Sequence, residues 1–370
     1  MAIKVVVFPN ADNPYQELLY NGLKKNFNAT IKRIVKSPAY ELPFLTLPFR
    51  LLWLKLLNYR IFHLHWTYGF VVQRISYRIP RVFYSAYFYF ILFYLKLLKY
   101  KIVWTVHEPM PHEKEFANDL SARKVLSRLA DAKIVHSAFA INEMKNLGLD
   151  IDNTHIIPHG NYMSVYKNQV SKNEARKYLG LDKDDFIFLF FGIIRGYKGI
   201  ENLLPAFKRL VKTRKNIKLV IAGDIAKDAK NLSKLIENYK KTLGQNLISN
   251  IGFIDDDKVQ YYFNSADIVV LPFKKITTSG TAILALSFAK PVIAPKMACL
   301  NELPDNIGFF YKPDERGALY KAMEKAIKNK RKLKIMDKNA FEYAKSLSWD
   351  KISEKTYRLF KSLAGRGQNF

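Results

Sequence analysis

The sequence predicts an α/β fold made of two consecutive domains, each a parallel, helix-covered sheet of Rossmann-like type. Three observations predict it. The chain has 370 residues, which is enough for two domains of ordinary size. Short apolar runs rich in β-branched and aromatic residues alternate with helical segments, a pattern typical of parallel sheets that are covered by helices. The alternation gives way to a polar passage at 161–172 and then starts again.

The first domain, predicted at 1–165, contains five short apolar runs that are followed by turn or polar residues and therefore indicate buried strands. These runs are Ile3–Phe8, Ile61–Trp66, Ile102–Val106, Lys133–Val135 and Thr154–Ile157. Amphipathic segments at Tyr15–Asn26 and Leu120–Leu129 indicate helices between some of them.

The second domain, predicted at 166–345, repeats the pattern. Its predicted strands are Phe186–Phe191, Lys218–Ile221, Asn246–Phe253, Ile268–Leu271, Pro291–Ala294 and Gly308–Tyr311. Its predicted helices are Ile200–Thr213, Ala229–Leu243, Asp256–Asn264, Thr281–Phe288 and Ala318–Asn329. The amphipathic end, 346–370, is expected to return as a helix to the first domain. Ligands of such sheets bind at the carboxyl ends of the strands, so a cleft between the domains is the expected site.

The charge is strongly positive, at +28 for the whole chain. The segment Lys24–Lys101 alone carries 14 Lys or Arg residues and one acid, Glu41. An excess of this size predicts an anionic partner: an anionic membrane, a phosphorylated ligand or nucleic acid. No nucleic-acid partner is expected, because the segment has no helix-turn-helix, zinc-finger or RNP signature.

The aromatic run Val82–Leu98 lies in this basic segment and has three interpretations. An interfacial helix is favoured, because cations that are interleaved with aromatic and aliphatic residues suit an anionic membrane surface. A buried core helix is the second interpretation. A spanning helix is the third, and it is disfavoured because the run is short and contains Lys96.

Two features of the sequence indicate the cellular compartment of the protein. A single cysteine, Cys299, excludes a disulfide framework and a thiolate metal cluster, and it fits a reducing environment. The opening residues, MAIKVVVFPN, lack the long apolar segment and the cleavage site of a secretory signal. A cytoplasmic location is therefore expected.

The strongest local motif is Gly192-Ile-Ile-Arg195-Gly-Tyr-Lys198-Gly199, between an apolar strand and a helix. Glycine lets backbone approach a ligand, Arg195 can bind a phosphate bidentately, and Lys198 adds a point charge. The motif therefore predicts a diphosphate site. The alternative is an ordinary strand–turn–helix connection with surface cations.

A second motif, Thr277-Thr278-Ser279-Gly280-Thr281, precedes a predicted helix. Hydroxyl groups and free N–H groups at a helix N-terminus can bind an anion, although an ordinary N-cap gives the same pattern.

The third motif is Val106-His107-Glu108 at the end of a strand, where His107 could carry a proton or bind a substrate hydroxyl. His107 and His112 do not have the HExxH spacing of zinc proteases, so no metal site is predicted. His65 and His159 also fall where strands end, whereas His63, His136 and His155 are interpreted as structural.

Together these residues resemble the retaining glycosyltransferases of the GT-B fold, and the chain is similar to glycosyltransferase family 4, also called group 1. The resemblance covers most of the chain and is strongest from Phe186 to Ala326. The segment FGIIRGYKGIENLLPAF resembles the family's diphosphate loop, which implies that Arg195 and Lys198 hold the donor diphosphate. IGFIDDDKVQYYFNSADIVVLPF, AKPVIAP and GFFYKPDERGALYKAM resemble later family blocks, and TVHE resembles the family's strand-end histidine.

The resemblance implies a retaining hexosyltransferase that transfers a sugar to a lipid-linked or oligosaccharide acceptor at the inner face of the cell membrane. The co-substrate would be GDP-mannose or a UDP-sugar, with no tightly bound cofactor and no obligatory metal. The expected catalytic residues are His107, Arg195 and Lys198. The expected donor-binding residues are Gly192, Arg195, Lys198, Gly252, Phe253, Ile254, Thr278, Ser279, Gly280, Thr281 and Glu302. The expected acceptor-binding residues, in the first domain, are Asn10, Asn13, His65 and Glu108.

The sequence departs from the family at three places. The family's two glutamates, eight positions apart, correspond to Ile276 and Leu284. The Gly-Gly turn before Glu302 is Ala298-Cys299, and the loop after the first strand is 9–13, PNADN. Two other functions therefore remain open: a GT-B-like nucleotide-sugar epimerase, and a non-catalytic basic protein that binds membrane or nucleic acid.

Overall fold

The protein is represented by a computed structural model that describes residues 2–35, 43–71, 78–111 and 113–365, with only the backbone of 43–45 and 78–80. The chain forms two compact units. Unit 1 is Met1–His159 together with Trp349–Phe370, and unit 2 is Gly160–Ser348. Each unit has a six-stranded, fully parallel sheet with helices, which confirms the predicted α/β fold.

The elements follow in chain order. The strands are β1 Lys4–Phe8, β2 Thr30–Arg33, β3 Ile61–Leu64, β4 Lys101–Val106, β5 Ala132–Val135, β6 Thr154–Ile156, β7 Phe186–Phe191, β8 Ile217–Gly223, β9 Leu247–Ile251, β10 Ile268–Val270, β11 Val292–Pro295 and β12 Gly308–Tyr311. The helices are α1 Pro14–Phe27, α2 Pro43–Leu56, α3 Arg78–Leu97, α4 Asp119–Leu129, α5 Ala138–Asn146, α6 Lys172–Tyr178, α7 Ile200–Val211, α8 Lys230–Leu243, α9 Asp256–Ser265, α10 Gly280–Ser287, α11 Ala318–Lys328, α12 Lys330–Ser346 and α13 Trp349–Gly365.

Unit 1 has the strand order β2-β1-β3-β4-β5-β6. Helices α1 and α13 belong to the apolar cluster on one face of this sheet, and α2, α3 and α4 belong to the cluster on the other. Helices α1 and α13 approach closely because Gly22 has no side chain. A Cβ atom at Gly22 would lie 2.8 Å from Ser353 Oγ. The helix predicted at the end of the chain is therefore part of unit 1 in the structure.

Helix α3 contains most of the aromatic run Val82–Leu98 and has two apolar faces. Phe88, Ile91, Leu92 and Leu95 are buried in the core of unit 1. On the opposite side, Phe83, Phe90, Phe93 and Leu97 are exposed. Within the described ranges, no helix is long and apolar enough to cross a membrane.

Unit 2 has the strand order β12-β11-β10-β7-β8-β9. Its central strand β7 reads FIFLFF and is buried along almost its whole length, because helices cover both faces of the sheet. The carboxyl ends of β7, β8 and β9 lie side by side, and so the loops that follow these strands meet at one edge.

Candidate functional site

The loop between β7 and α7 has a backbone that requires glycine. Gly192 follows β7 with a φ of 97°, and Gly199 precedes α7 with a φ of 72°. A Cβ atom at Gly199 would lie 1.9 Å from the carbonyl oxygen of Pro272, so no other residue fits there without movement. The Lys274 N–H also donates to the Tyr197 carbonyl at 2.8 Å. The loop 192–199 is thus fixed against the loop that follows β10.

Three of the predicted donor-binding residues converge at Gly192. A Cβ atom there would lie 3.1 Å from Lys198 Nζ and 3.7 Å from Thr281 Oγ1. The ammonium of one predicted motif and the hydroxyl of the other therefore lie around the same glycine. The absence of a side chain at Gly192 lets a ligand approach the backbone beside a cation, as in diphosphate sites.

The electrostatics of this loop favour an anion. Lys198 is only 8% exposed, and Arg195 is half-buried beside it. Burial, together with the charge of Arg195, lowers the pKa of Lys198 to about 8. Neither cation has a hydrogen-bonding or ionic partner among the described residues. A bound diphosphate would compensate the cost of burying Lys198 next to a like charge.

The N-terminus of α10 lies beside this loop. Ser279 is the N-cap, and its Oγ accepts a hydrogen bond from the Ala282 N–H at 3.1 Å. Thr278 Oγ1 is buried and has no hydrogen-bond partner among the described residues. Gly280 leaves room for Tyr162, whose hydroxyl would lie 3.0 Å from a Cβ atom at this position. Ser279 is therefore occupied as a cap, whereas Thr278 can bind a ligand.

Three glycines form a continuous backbone surface at the ends of β7, β8 and β9. A Cβ atom at Gly223 would lie 2.4 Å from the Gly192 carbonyl oxygen, and the Gly252 N–H donates to the Gly223 carbonyl at 3.1 Å. Gly223 was missed by the sequence reasoning, although it ends a strand as Gly192 does. The next residues are Phe253, which is 81% exposed, and Ile254, which is half-buried. A flat base could pack on such a surface.

The remaining predicted donor residue, Glu302, ends a short 3-10 segment, Ala298–Glu302, and is exposed. This segment lies next to the α10 cap, because Cys299 is hydrogen-bonded to the backbone of Ser279 and Glu302 lies near Cys299. The positions of the family's two glutamates belong to the apolar core instead. Leu284 is buried, and Ile276 packs against the same cluster.

In unit 1, histidines lie at the ends of four neighbouring strands. His65 follows β3, His107 follows β4, His136 follows β5, and His159 lies shortly after β6. Val106 pairs with Val135, which aligns His107 with His136. Tyr15 of α1 packs edge-on against these rings, with its centroid 5.0 Å from that of His107 and 5.2 Å from that of His136. His136 was interpreted as structural from the sequence, and only the strand order brings it to His107.

Burial favours the neutral form of four histidines of unit 1, His63, His65, His107 and His136. Burial lowers the pKa of His63 to about 3, and it lowers the pKa of His136 to about 3. Burial and the neighbouring histidines hold the pKa values of His65 and His107 well below the usual range. No group of three His, Cys, Asp or Glu side chains is arranged to hold a metal ion in the part of the chain that the structure describes. His112 lies outside the described residues.

The other predicted acceptor residues lie around the same edge of the sheet. The Asn10 N–H donates to the carbonyl oxygens of Ile34 and Val35, and Asn13 is the N-cap of α1. Gln16, which sequence reasoning missed, closes the loop 9–13: its Nε2 donates to the Pro9 carbonyl at 2.9 Å. Glu108 is half-buried next to His107. Roles in acceptor binding stay predictions for Asn10, Asn13, His65 and Glu108.

Comparison with known proteins gives a consistent result. Residues 171–343 match the family described as glycosyl transferases group 1. The lipopolysaccharide 1,2-N-acetylglucosaminetransferase of Salmonella typhimurium is 26% identical over 233 residues, which cover 61% of this chain and 61% of that protein. The GDP-mannose:glycolipid 4-beta-D-mannosyltransferase of Xanthomonas campestris pv. campestris is 24% identical over 363 residues, which cover 97% of this chain and 91% of that protein.

Solved structures are similar over nearly the whole chain. Sucrose-phosphate synthase from Thermosynechococcus elongatus has a TM-score of 0.76 and 18% identity, and the match covers 99% of this chain and 100% of that one. Anabaena HepE in complex with UDP has a TM-score of 0.75 and 16% identity, and the match covers 98% of this chain and 100% of that one. At such low identity these likenesses show the fold alone.

Proposed function

We propose that this chain is a retaining hexosyltransferase that uses a GDP- or UDP-sugar and a lipid-linked or glycan acceptor at the cytoplasmic membrane face. The match of residues 171–343 to the group 1 glycosyl transferases and the similarity of the fold to GT-B enzymes support the proposal. The donor class is suggested by the named relatives: one uses GDP-mannose, and HepE binds UDP. A hexose from either nucleotide is the proposed group transferred.

The observation that carries the proposal is the pair of cations in the loop 192–199. Lys198 is buried beside Arg195, and its Nζ lies beside Gly192 and the N-terminus of α10. When the bond from the sugar to the diphosphate breaks, negative charge develops on the leaving phosphate. Preorganised cations and a helix N-terminus stabilise that charge, and this lowers the barrier. They provide the stabilisation that a metal ion gives in other enzymes, so no obligatory metal is proposed.

We assign the rest of the donor to the neighbouring loops. Gly252, Phe253 and Ile254 would contact the nucleotide base, because the exposed ring of Phe253 and the glycine surface offer flat apolar contacts. Thr278 and Thr281 would bind phosphate oxygens, and Glu302 would bind sugar hydroxyl groups. With Ile276 and Leu284 in the core, Glu302 is the proposed carboxylate of this set.

The acceptor is assigned to unit 1, where His107 would contact the reacting sugar or the acceptor hydroxyl. Asn10, Asn13, His65 and Glu108 are the proposed acceptor residues. In a retaining reaction on one face, the leaving phosphate accepts the acceptor's proton. The protein's part is then to hold the hydroxyl group close to the anomeric carbon and to exclude water.

Transfer assays test the proposal. Arg195→Ala should abolish transfer, because the leaving diphosphate loses its bidentate partner, while the melting temperature stays near that of the wild type. Lys215→Met removes an exposed lysine of the same unit and should leave the rate unchanged. Retention predicts that the new bond has the anomeric configuration of the donor, which NMR of the product reads directly. An inverted product, or full activity of Arg195→Ala, would overturn the mechanism.

A membrane surface is the proposed partner of α2 and α3. Of the seventeen exposed large apolar side chains in the described ranges, ten lie on these helices or directly after α2. They are Phe49, Leu52, Trp53, Leu56, Leu57, Val82, Phe83, Phe90, Phe93 and Leu97. Arg50 and Lys99 are exposed next to them. Apolar rings that are flanked by cations suit the boundary between acyl chains and anionic headgroups.

Vesicle flotation tests this surface. A Trp53→Ser/Phe90→Ser double variant should lose at least about a hundredfold of its binding to anionic vesicles, since each buried aromatic ring contributes about 1.5–3 kcal/mol. Ile335→Ser is the matched control, because it removes an exposed apolar residue of unit 2 (66% exposed). Equal binding of the two variants would contradict the assignment of the membrane face to α2 and α3.

A further inference from the structure

A continuous hydrogen-bonded chain runs through the histidines of unit 1. His63 Nε2 lies 2.7 Å from Thr105 Oγ1, and His63 Nδ1 lies 2.7 Å from the Tyr20 hydroxyl. The same hydroxyl lies 2.6 Å from His65 Nε2. His65 Nδ1 then lies 3.2 Å from His107 Nε2.

The chain continues from His107 to the backbone. His107 Nδ1 lies 3.3 Å from His136 Nε2, and His136 Nδ1 lies 2.9 Å from the Ile157 carbonyl oxygen. At the other end, the side chain of Tyr15 is hydrogen-bonded to Thr105. Every ring nitrogen of the four histidines therefore has one partner within the chain.

The Ile157 carbonyl fixes the direction of the whole chain, because a carbonyl oxygen can only accept. His136 must donate from Nδ1, so its Nε2 accepts from His107 Nδ1–H. His107 Nε2 then accepts from His65 Nδ1–H. By the same rule the Tyr20 hydroxyl donates to His65 and accepts from His63 Nδ1–H, and Thr105 donates to His63. All four neutral histidines are thus Nδ1–H tautomers.

His107 differs from the other three histidines in the exposure of its ring and in the length of its hydrogen bonds. His63 and His65 are 0% and 2% exposed, and His136 is 8% exposed, whereas His107 is half-buried. The two hydrogen bonds of His107, at 3.2 and 3.3 Å, are also longer than the other bonds of the chain. His107 is therefore the ring at which the chain reaches the surface and can exchange a partner.

We propose that His136, which the Ile157 carbonyl orients, is a positioning residue that presents His107 as a neutral Nδ1–H tautomer. His107 Nε2 then accepts a hydrogen bond from a substrate hydroxyl group in place of the one from His65. This proposal rests on the proposed function, because it concerns the same sugar-transfer reaction. A neutral acceptor suits that reaction: the sugar becomes oxocarbenium-like in the transition state, and a cationic imidazole there would raise the barrier.

Ring-nitrogen NMR of the full chain, prepared with labelled histidine, measures the tautomers directly at a pH of about 7.5. The expected result is four Nδ1–H rings, assigned with single-histidine variants. His155→Gln, which removes an exposed histidine of β6, is the control and should leave these four signals unchanged. An Nε2–H ring or an imidazolium at His107 or His136 would overturn the proposal.

Two variants distinguish an effect of hydrogen-bond direction on His107 from an effect of ring packing. His136→Phe keeps a ring but removes the acceptor of His107, so an Nε2–H population should appear at His107. We expect kcat to fall by more than about tenfold with little change in the donor KM. Tyr20→Phe cuts the chain at its hydroxyl but leaves the segment from Ile157 to His65 anchored. His107 should keep its tautomer, and kcat should stay within about threefold of the wild type.

His136→Gln provides a rescue, since its amide oxygen can accept from His107 Nδ1–H, and it should restore both the tautomer and most of kcat. The proposal fails if Tyr20→Phe changes the His107 tautomer as much as His136→Phe does, or if His136→Gln behaves like His136→Phe. Failure of the proposed function is recognised separately, because the protein would then show four Nδ1–H rings and no transfer from any nucleotide sugar.

Discussion

Acidification from a pH of about 7.5 to about 5.5 should destabilise unit 1 far more than unit 2. All seven histidines lie at or before His159, so unit 2 contains none. In unit 1 the pKa values of His63 and His136 are lowered to about 3 by burial, and those of His65 and His107 are also well below normal. These groups stay neutral in the folded state and become protonated in the unfolded state.

The sign and the size of this change in the free energy of unfolding follow from the linkage between protonation and folding. A histidine with a depressed pKa contributes full stability above its unfolded pKa of about 6.5, and the contribution is lost as the pH falls below that value. Between the two pH values each such histidine costs about 1.4 kcal/mol. His63 and His136 together cost about 2.7 kcal/mol, and His65 and His107 add to the loss in the same direction. A loss of this size is a large share of the 5–15 kcal/mol that is typical of a folded domain.

Denaturant unfolding of the full chain, followed by tryptophan fluorescence, measures this change. The four tryptophans, Trp53, Trp66, Trp104 and Trp349, all lie in unit 1, so the signal reports that unit. Unit 2 serves as the internal control, and because it contains no tryptophan its unfolding is followed by far-UV circular dichroism of the same samples. Burial raises the pKa of its Asp337 to about 6, which makes unit 2 slightly more stable on acidification. If the denaturant midpoints detected by tryptophan fluorescence were equal at the two pH values, the conclusion that these buried histidines are neutral would be refuted.

Two further predictions concern unit 2. Gly199→Ala should lower the melting temperature more than Gly180→Ala and should weaken nucleotide binding. Both glycines have positive φ, but only at Gly199 would a Cβ atom meet backbone, at 1.9 Å. Calorimetry measures both the melting temperature and the binding. Asp267→Ala should cost about 3–5 kcal/mol in urea unfolding, since it leaves Arg176 buried without its ionic partner. Glu315→Ala, which breaks an exposed ion pair with Lys321 in the same unit, should cost almost nothing. If a test variant, Gly199→Ala or Asp267→Ala, lost no more stability than its control variant, the structural argument would be contradicted.

Much of the fold could be predicted because buried parallel strands are continuous apolar runs. Phe186–Phe191 was predicted with the observed ends of β7, and Ile3–Phe8 exceeds β1 by one residue. Strand β2 was missed, because Thr30–Arg33 lies at the sheet edge and its residues alternate between exposed and half-buried. An edge strand needs no apolar run, so periodicity alone gives little signal.

The candidate site was only partly accessible from the sequence. Glycines and cations in one loop indicate phosphate chemistry by themselves, and Arg195 and Lys198 were identified in this way. The histidine chain depends instead on the order β3-β4-β5-β6, which makes His65, His107 and His136 neighbours across a sheet. The available signal was the recurrence of histidine at consecutive strand ends. The direction of the hydrogen bonds in this chain is set by the Ile157 carbonyl, and no sequence pattern indicates that this carbonyl contacts His136.

The proposed function depends above all on a preformed diphosphate site at Lys198 and its loop. Titration calorimetry of UDP and of GDP against the wild type, Lys198→Met and Lys215→Met tests it most directly. We predict that one nucleotide binds the wild type and Lys215→Met equally, and that Lys198→Met binds it about 10–100-fold more weakly, the size of a lost charge-assisted hydrogen bond. Equal binding to all three proteins, or binding of neither nucleotide to the wild type, would contradict the claim.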